Sequence, residues 1–178
     1  MRPITVIATH QSVQIFEKSH GSLSKSGLVE EVITTSVPLT TNETLNRITA
    51  EVKTDYFLLM LLDIALIKTG ALERMIEAAK TKRAGIVYSD YYDEGKDGRR
   101  PHPLIDYQLG SVRDDFDFGA IMLFSTGAAK SAMKKYGSIP PVGFAGLYDL
   151  RLKVSIENPI HHINEPLYSV IESLEESA

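Results

Sequence analysis

The run Tyr56-Phe57-Leu58-Leu59-Met60-Leu61-Leu62-Asp63-Ile64-Ala65-Leu66 constrains the fold of this chain more than any other stretch. It is apolar at both alternations, as in a strand whose sheet is covered by helices on both faces. Its eleven residues fall far short of the ~20 needed to span a bilayer. Such a strand delivers its last residues to the carboxyl edge of the sheet, where open α/β sheets bind ligands. A carboxylate there is costly unless a metal, a cation or water meets it. Asp63 is therefore the first candidate, as a ligand for a metal.

Shorter segments of the same kind surround this run. Residues 4–8, 31–36, 86–89, 119–124 and 159–163 read as strands, and 167–171 extends the last. Between them, helices are expected over 13–18 after a Ser12 cap, over 45–53, after Thr69, after Thr126 until Gly137, and over 147–156. Residues 91–100 read as a polar loop with an Asp97-Gly98 turn. Strands alternating with helices predict one α/β domain over 1–171. Its architecture is a three-layer α/β/α sandwich with a mostly parallel, mixed sheet. The acidic end, 172–178, reads as a frayed tail.

Composition narrows the function classes. A chain of 178 residues with net charge −4 gives no electrostatic reason to expect nucleic acid. It has no cysteine, hence no disulfide or thiolate chemistry, and no apolar run fit for a signal peptide or a transmembrane helix. A soluble, cytoplasmic protein is the expectation. Neither a GxGxxG nor a P-loop lysine motif is present, and no GxSxG elbow occurs.

Several polar groups fall at strand exits. Asp63 and Asp90 follow the central strand and the 86–89 strand, so parallel strands would place both at one edge. Two carboxylates so placed suit Mg²⁺ or Mn²⁺, which take oxygen ligands. The plainer reading is that Asp63 caps a turn and Asp90 opens a solvated loop. Thr9 and His10 end the first strand and are placed to touch a ligand. Arg99 and Arg100 have the geometry to grip a diphosphate, although charge runs are usually solvated faces. Asp149 opens the 147–156 helix, where it either deprotonates an acceptor hydroxyl or complements the helix dipole. His161 and His162 lie on one strand and point to opposite faces.

Three stretches resemble the family 2 glycosyltransferases, which use nucleoside-diphosphate sugars on the A-type glycosyltransferase fold. They are Lys53-Thr54-Asp55-Tyr56 leading into Leu61-Leu62-Asp63; Val87-Tyr88-Ser89-Asp90-Tyr91 with Asp97-Gly98; and Tyr148-Asp149-Leu150-Arg151-Leu152-Lys153 with residues 159–168. The resemblance implies a nucleotide-sugar donor, a glycan or lipid-linked acceptor, and Mg²⁺ or Mn²⁺ as cofactor. It assigns Asp63 to the metal, Asp90 to the donor or acceptor pocket and Asp149 to the base or to orienting the acceptor. The chain departs from the family pattern at three places. Ala65 stands where a second metal acid is expected, Thr34-Thr35-Ser36 where paired aspartates hold the nucleotide, and Leu147 where the acceptor-activating acid falls. Two readings follow: a glycosyltransferase, or a non-catalytic sugar-, nucleotide- or protein-binding module on the same scaffold.

Overall fold

The computed structural model describes residues 1–9, 23, 25–62, 65–108 and 116–171. In chain order the strands are β1 (Ile4–Thr9), β2 (Val29–Thr35), β3 (Tyr56–Met60), β4 (Ala65–Ile67), β5 (Ile86–Gly95), β6 (Gly98–His102), β7 (Ile121–Ser125) and β8 (Ile160–Ile171). The helices are α1 (Asn42–Glu51), α2 (Ala71–Lys82), α3 (Thr126–Tyr136) and α4 (Gly146–Ser155). The predicted helix over 13–18 lies outside the described residues.

One mixed sheet runs in the order β2-β1-β3-β7-β5-β8-β4, with β6 paired to β5. Strands β1, β2 and β3 are mutually parallel, β7 runs against both β3 and β5, and β5 is parallel to β8. Because β7 reverses once between them, β3 and β5 point the same way. Alternation along β3 divides the core as the apolar run predicts. Leu58 and Met60 join Ile4, Val6 and α2 on one face, while Phe57 and Leu59 join Ile7, α1, α3 and α4 on the other. The layers are thus α/β/α.

Local signals explain where the helices begin. The Thr41 hydroxyl accepts from the Thr44 amide at α1, and the Ser125 hydroxyl accepts from the Ala128 amide at α3. At α4 the requirement is steric. A Cβ on Gly146 would stand 2.7 Å from the Thr40 carbonyl oxygen, so glycine lets this helix close on the start of α1. The expected Thr69 cap is replaced at α2 by Gly70, in the left-handed region at φ 82° and without a side-chain cap.

Two segments differ from expectation. The long apolar run is not one strand: β3 ends at Met60, and residues 65–67 pair antiparallel with β8 at the far edge of the sheet. β1 supplies partners only as far as Ala8 opposite Met60, after which the chain leaves the centre. The polar loop over 91–100 is instead a hairpin. β5 continues to Gly95 and pairs with β6, with Glu94 opposite Arg99 and Asp93 opposite Arg100. Opposite charges set across from each other on paired strands look like a solvated charge run in one dimension. None of the described helices is long and apolar enough to cross a membrane.

The central contact between β3 and β7 is the stack of Phe57 on Phe124, with centroids 5.0 Å apart and planes within 4°. Both rings are fully buried. Phe124→Ala is expected to lower unfolding stability by ~3–5 kcal/mol in urea titrations, because the cavity opens between two paired strands that cannot collapse into it.

Candidate functional site

The ends of β1, β3 and the first half of β5 share an edge with the beginning of β7, since β7 runs the other way. Thr9 sits there and its hydroxyl donates to the Leu61 carbonyl at 3.1 Å, binding the exit of β1 to the exit of β3. His10 and Asp63, the neighbours expected to meet a ligand and a metal, lie outside the described residues.

Asp90 reaches this edge inside β5, at a bulge where residues 164–167 of β8 pass it before pairing resumes. Its Oδ1 accepts from the Leu104 amide at 2.8 Å and lies 2.8 Å from Nε2 of His162. The other nitrogen of His162 is 2.8 Å from Oδ1 of Asp106. The imidazole is 2% exposed and stacks on Tyr88 at 4.7 Å, and the Tyr88 hydroxyl donates to the Ile105 carbonyl at 2.6 Å. Burial raises the Tyr88 phenol well above its ordinary value. These contacts fasten residues 104–106 along the edge. His161 points to the opposite face, as alternation predicts, and desolvation followed by the charges of Lys82 and Arg74 lowers its pKa.

A second cluster stands beside the first. Tyr91 is sandwiched between His102 at 4.2 Å and Tyr168 at 5.2 Å. His102 Nδ1 is 2.8 Å from Asp93 Oδ2, and its Nε2 is 3.8 Å from Asp117 Oδ2. The buried Tyr168 hydroxyl accepts from the Ala120 amide at 2.8 Å, close under Gly119 at φ 70°. A Cβ on Gly119 would meet that oxygen at 2.1 Å. A glycine is required there.

Between these clusters and α4 opens a cleft of about 320 Å³. Leu61, Phe116, Asp117, Leu147, Tyr148 and Arg151 are among the residues that line it. The Arg151 guanidinium lies 4.3 Å over the Phe118 ring, and its Nε is buried with no hydrogen-bond partner among the described residues. Burial pulls its pKa down to about 10, against the opposing influence of Tyr148, Asp117 and Tyr107. A larger groove of about 750 Å³ runs between β2 and α1 and includes Thr34 and Thr35. It follows the outer strand of the sheet and shares no lining residue with the cleft.

The remaining candidates are distributed as follows. Asp149 is in the first turn of α4 but does not line the cleft, and its Oδ2 is 2.6 Å from the Lys153 ammonium. Arg99 covers the face of Tyr92 at 3.8 Å, pairs with Glu94 and donates to the Ser169 hydroxyl. Arg100 pairs with Asp97 in the hairpin turn. Both arginines are thus on the β5–β6 hairpin, and neither lines the cleft. No three His, Asp or Glu side chains among the described residues gather to hold a metal. Asp90, at the right edge for one, has its Oδ1 committed to His162 and Leu104. The described residues do not make a metal centre by themselves.

Sequence reasoning missed Arg151 and the role of His162. A faint signal for the first exists: Arg151 falls four residues after Leu147, on the side of α4 that carries Leu147 and Val154. For the second there is none, because Asp90 and Asp106 are 72 and 56 residues away.

The sequence matches no known family profile and no curated protein. Solved structures do share this chain's fold. It is similar to Staphylococcus aureus TarS residues 1–349 in complex with UDP-GlcNAc, with TM-score 0.67 and 12% identity over 99% of this chain and 60% of that one. It is also similar to the mannosyltransferase PcManGT from Pyrobaculum calidifontis in complex with GDP-Man and Mn²⁺. There the TM-score is 0.60 and the identity 10%, over 99% of this chain and 59% of that one. The fold is the one seen in A-type glycosyltransferase structures. This chain spans about 60% of the length of these structures.

His162→Leu tests the first cluster. It keeps an apolar body against Tyr88 but leaves Asp90 with the Leu104 amide and without the imidazole. Chemical denaturation should show a loss of ~1–3 kcal/mol, the cost of stranding a partly buried polar partner. Unchanged stability would mean that the bridge holds nothing in place.

Proposed function

We propose that this chain is a glycosyltransferase domain that binds a nucleoside-diphosphate sugar at the carboxyl edge and passes the sugar to a glycan or lipid-linked acceptor. The observation that carries this reading is the superposition of nearly the whole chain on structures that hold UDP-GlcNAc and GDP-Man. A cleft at the edge where β1 and β3 finish supports it, since ligands of open α/β sheets bind there.

In such a transfer the bond from the anomeric carbon to the diphosphate oxygen breaks. A bond to an acceptor oxygen forms, and the hydroxyl proton passes to a base. Asp149 is the carboxylate nearest in sequence to the cleft-lining Tyr148, and to take that proton it must exchange Lys153 for the acceptor hydroxyl. A positioned base contributes roughly 10²–10⁴-fold. Thr9 ends β1 at this edge, and His10, the next residue in the sequence, is nominated with it as a contact to the substrate. Arg99 and Arg100, on the hairpin, are within this proposal only as contacts to a larger substrate. A divalent cation, Mg²⁺ or Mn²⁺, would offset charge on the donor diphosphate, and Asp63 is the carboxylate nominated to hold it.

Thermal shifts with UDP-, GDP-, CMP- and dTDP-sugars, each with and without Mg²⁺ or Mn²⁺, test the reading. One nucleotide class should stabilise the chain, by ~2.7 kcal/mol at a hundredfold excess over Kd. Asp63→Ala should remove the metal dependence of that shift. No stabilisation by any donor would contradict nucleotide-sugar binding.

A further inference from the structure

The fold gives no reason for a charge at residue 151. The Phe118 ring offers a cation–π contact, but the guanidinium Nε is buried without a hydrogen-bond partner among the described residues. Among the described residues, Asp117 lines the same cleft and acts on the Arg151 charge, and both it and Asp149 have partners of their own. Asp117 accepts from the Gly119 amide at 2.6 Å and lies 3.8 Å from His102, while Asp149 pairs with Lys153 at 2.6 Å. The Tyr107 hydroxyl, near enough to act on the Arg151 charge, is likewise buried and unpartnered. A buried guanidinium short of hydrogen bonds is expensive, and an arginine suits a carboxylate or phosphate.

The walls specify the rest of the ligand. Phe116, Tyr148 and Leu61, each half-buried, present apolar and aromatic surface, which suits the face of a sugar ring. The volume of about 320 Å³ is at the small end for ligand sites, enough for one sugar ring, with the nucleotide of a donor lying outside it along the edge.

The geometry points to a binding site for an acidic monosaccharide unit, bearing a carboxylate or a phosphate, with Arg151 as its anion clamp and the aromatic walls as its platform. Assigning this unit to the acceptor, rather than the donor, rests on the glycosyl-transfer reading. The site itself does not. Arg151 holds the anionic group, and the ring lies against Phe116 and Tyr148.

Calorimetric titration of the full chain, free of metal and nucleotide, with glucuronate, glucose 6-phosphate, glucose and inorganic phosphate tests the inference. Glucuronate or glucose 6-phosphate should bind, glucose should not, and inorganic phosphate should bind more weakly than the acid sugar. The preferred acid distinguishes carboxylate from phosphate. Arg151→Gln should weaken that binding by about ten- to a hundredfold, the range for a charge-assisted hydrogen bond. Arg151→Lys should retain part of it. Arg151→Gln should also unfold at the same temperature as the parent or higher, because it removes a buried charge whose Nε has no hydrogen-bond partner among the described residues. A marked fall would assign the guanidinium a structural role and overturn the proposal. Equal binding of glucose and the acid sugars by the parent, or no binding of either acid, would overturn it whether or not the variants fold. Nucleotide-sugar binding without any acid-sugar response would sink this inference alone. Acid-sugar binding without a nucleotide-sugar response would leave the site standing and remove its assignment to an acceptor.

Discussion

The reversal of β7 is the constraint on which the rest of this structure depends. Inserted antiparallel between β3 and β5, it lets both neighbours run the same way while bringing its own first residues to the edge where they finish. Phe118, Gly119 and Ala120 arrive at the carboxyl edge for that reason. Their arrival creates the requirement for a glycine over the Tyr168 hydroxyl and supplies the aromatic floor beneath Arg151. A fully parallel insertion would have put the same residues at the opposite end of the sheet. The stacked Phe57 and Phe124 rings hold that reversed strand in register with the most apolar segment of the chain.

The polar groups at the edge divide into those that build it and those left over. Asp90, His162 and Asp106 consume one another's hydrogen-bonding capacity in fixing residues 104–106, and His102 does the same for Asp93. Charges that satisfy each other this way position a surface rather than act on a ligand. Arg151 stands apart: it is buried as the builders are, but its Nε has no hydrogen-bond partner among the described residues. That contrast, more than the size of the cleft, gives the carboxyl edge its chemical character.

Much of the scaffold was legible in the sequence because apolar burial follows local periodicity. The strands at β1, β3 and β7 and the face of α2 bearing Leu72, Met75, Ile76 and Ala79 are visible from spacing alone. Capping was misread at α2, where Gly70 in the left-handed region stands at the N-cap instead of Thr69, and at α3 the cap is Ser125, one residue before the Thr126 at which the helix was expected to start. The continuation of β5 into a hairpin and the pairing of residues 65–67 with β8 were not legible, since both depend on partners distant in sequence or in the sheet. The site follows the same division. Thr9 and Asp90 fall at the predicted edge because strand direction puts them there. The burial of Arg151 depends on Phe118, 33 residues away and on a different element. The positions where the chain departs from the family pattern, Thr34, Thr35, Ala65 and Leu147, were read from the sequence. Leu147 proves to be cleft wall, while Thr34 and Thr35 line the outer groove.

The central claim is that ligands enter at the carboxyl edge and not in the larger groove beside β2. Amide chemical-shift mapping of the isotopically labelled chain, titrated with a nucleotide sugar in the presence of Mg²⁺, addresses it directly. The account predicts perturbations concentrated at Leu61, Phe118–Ala120 and Tyr148–Arg151. Shifts confined to Ile33–Thr35 and Arg47–Glu51, with the cleft residues unmoved, would contradict it.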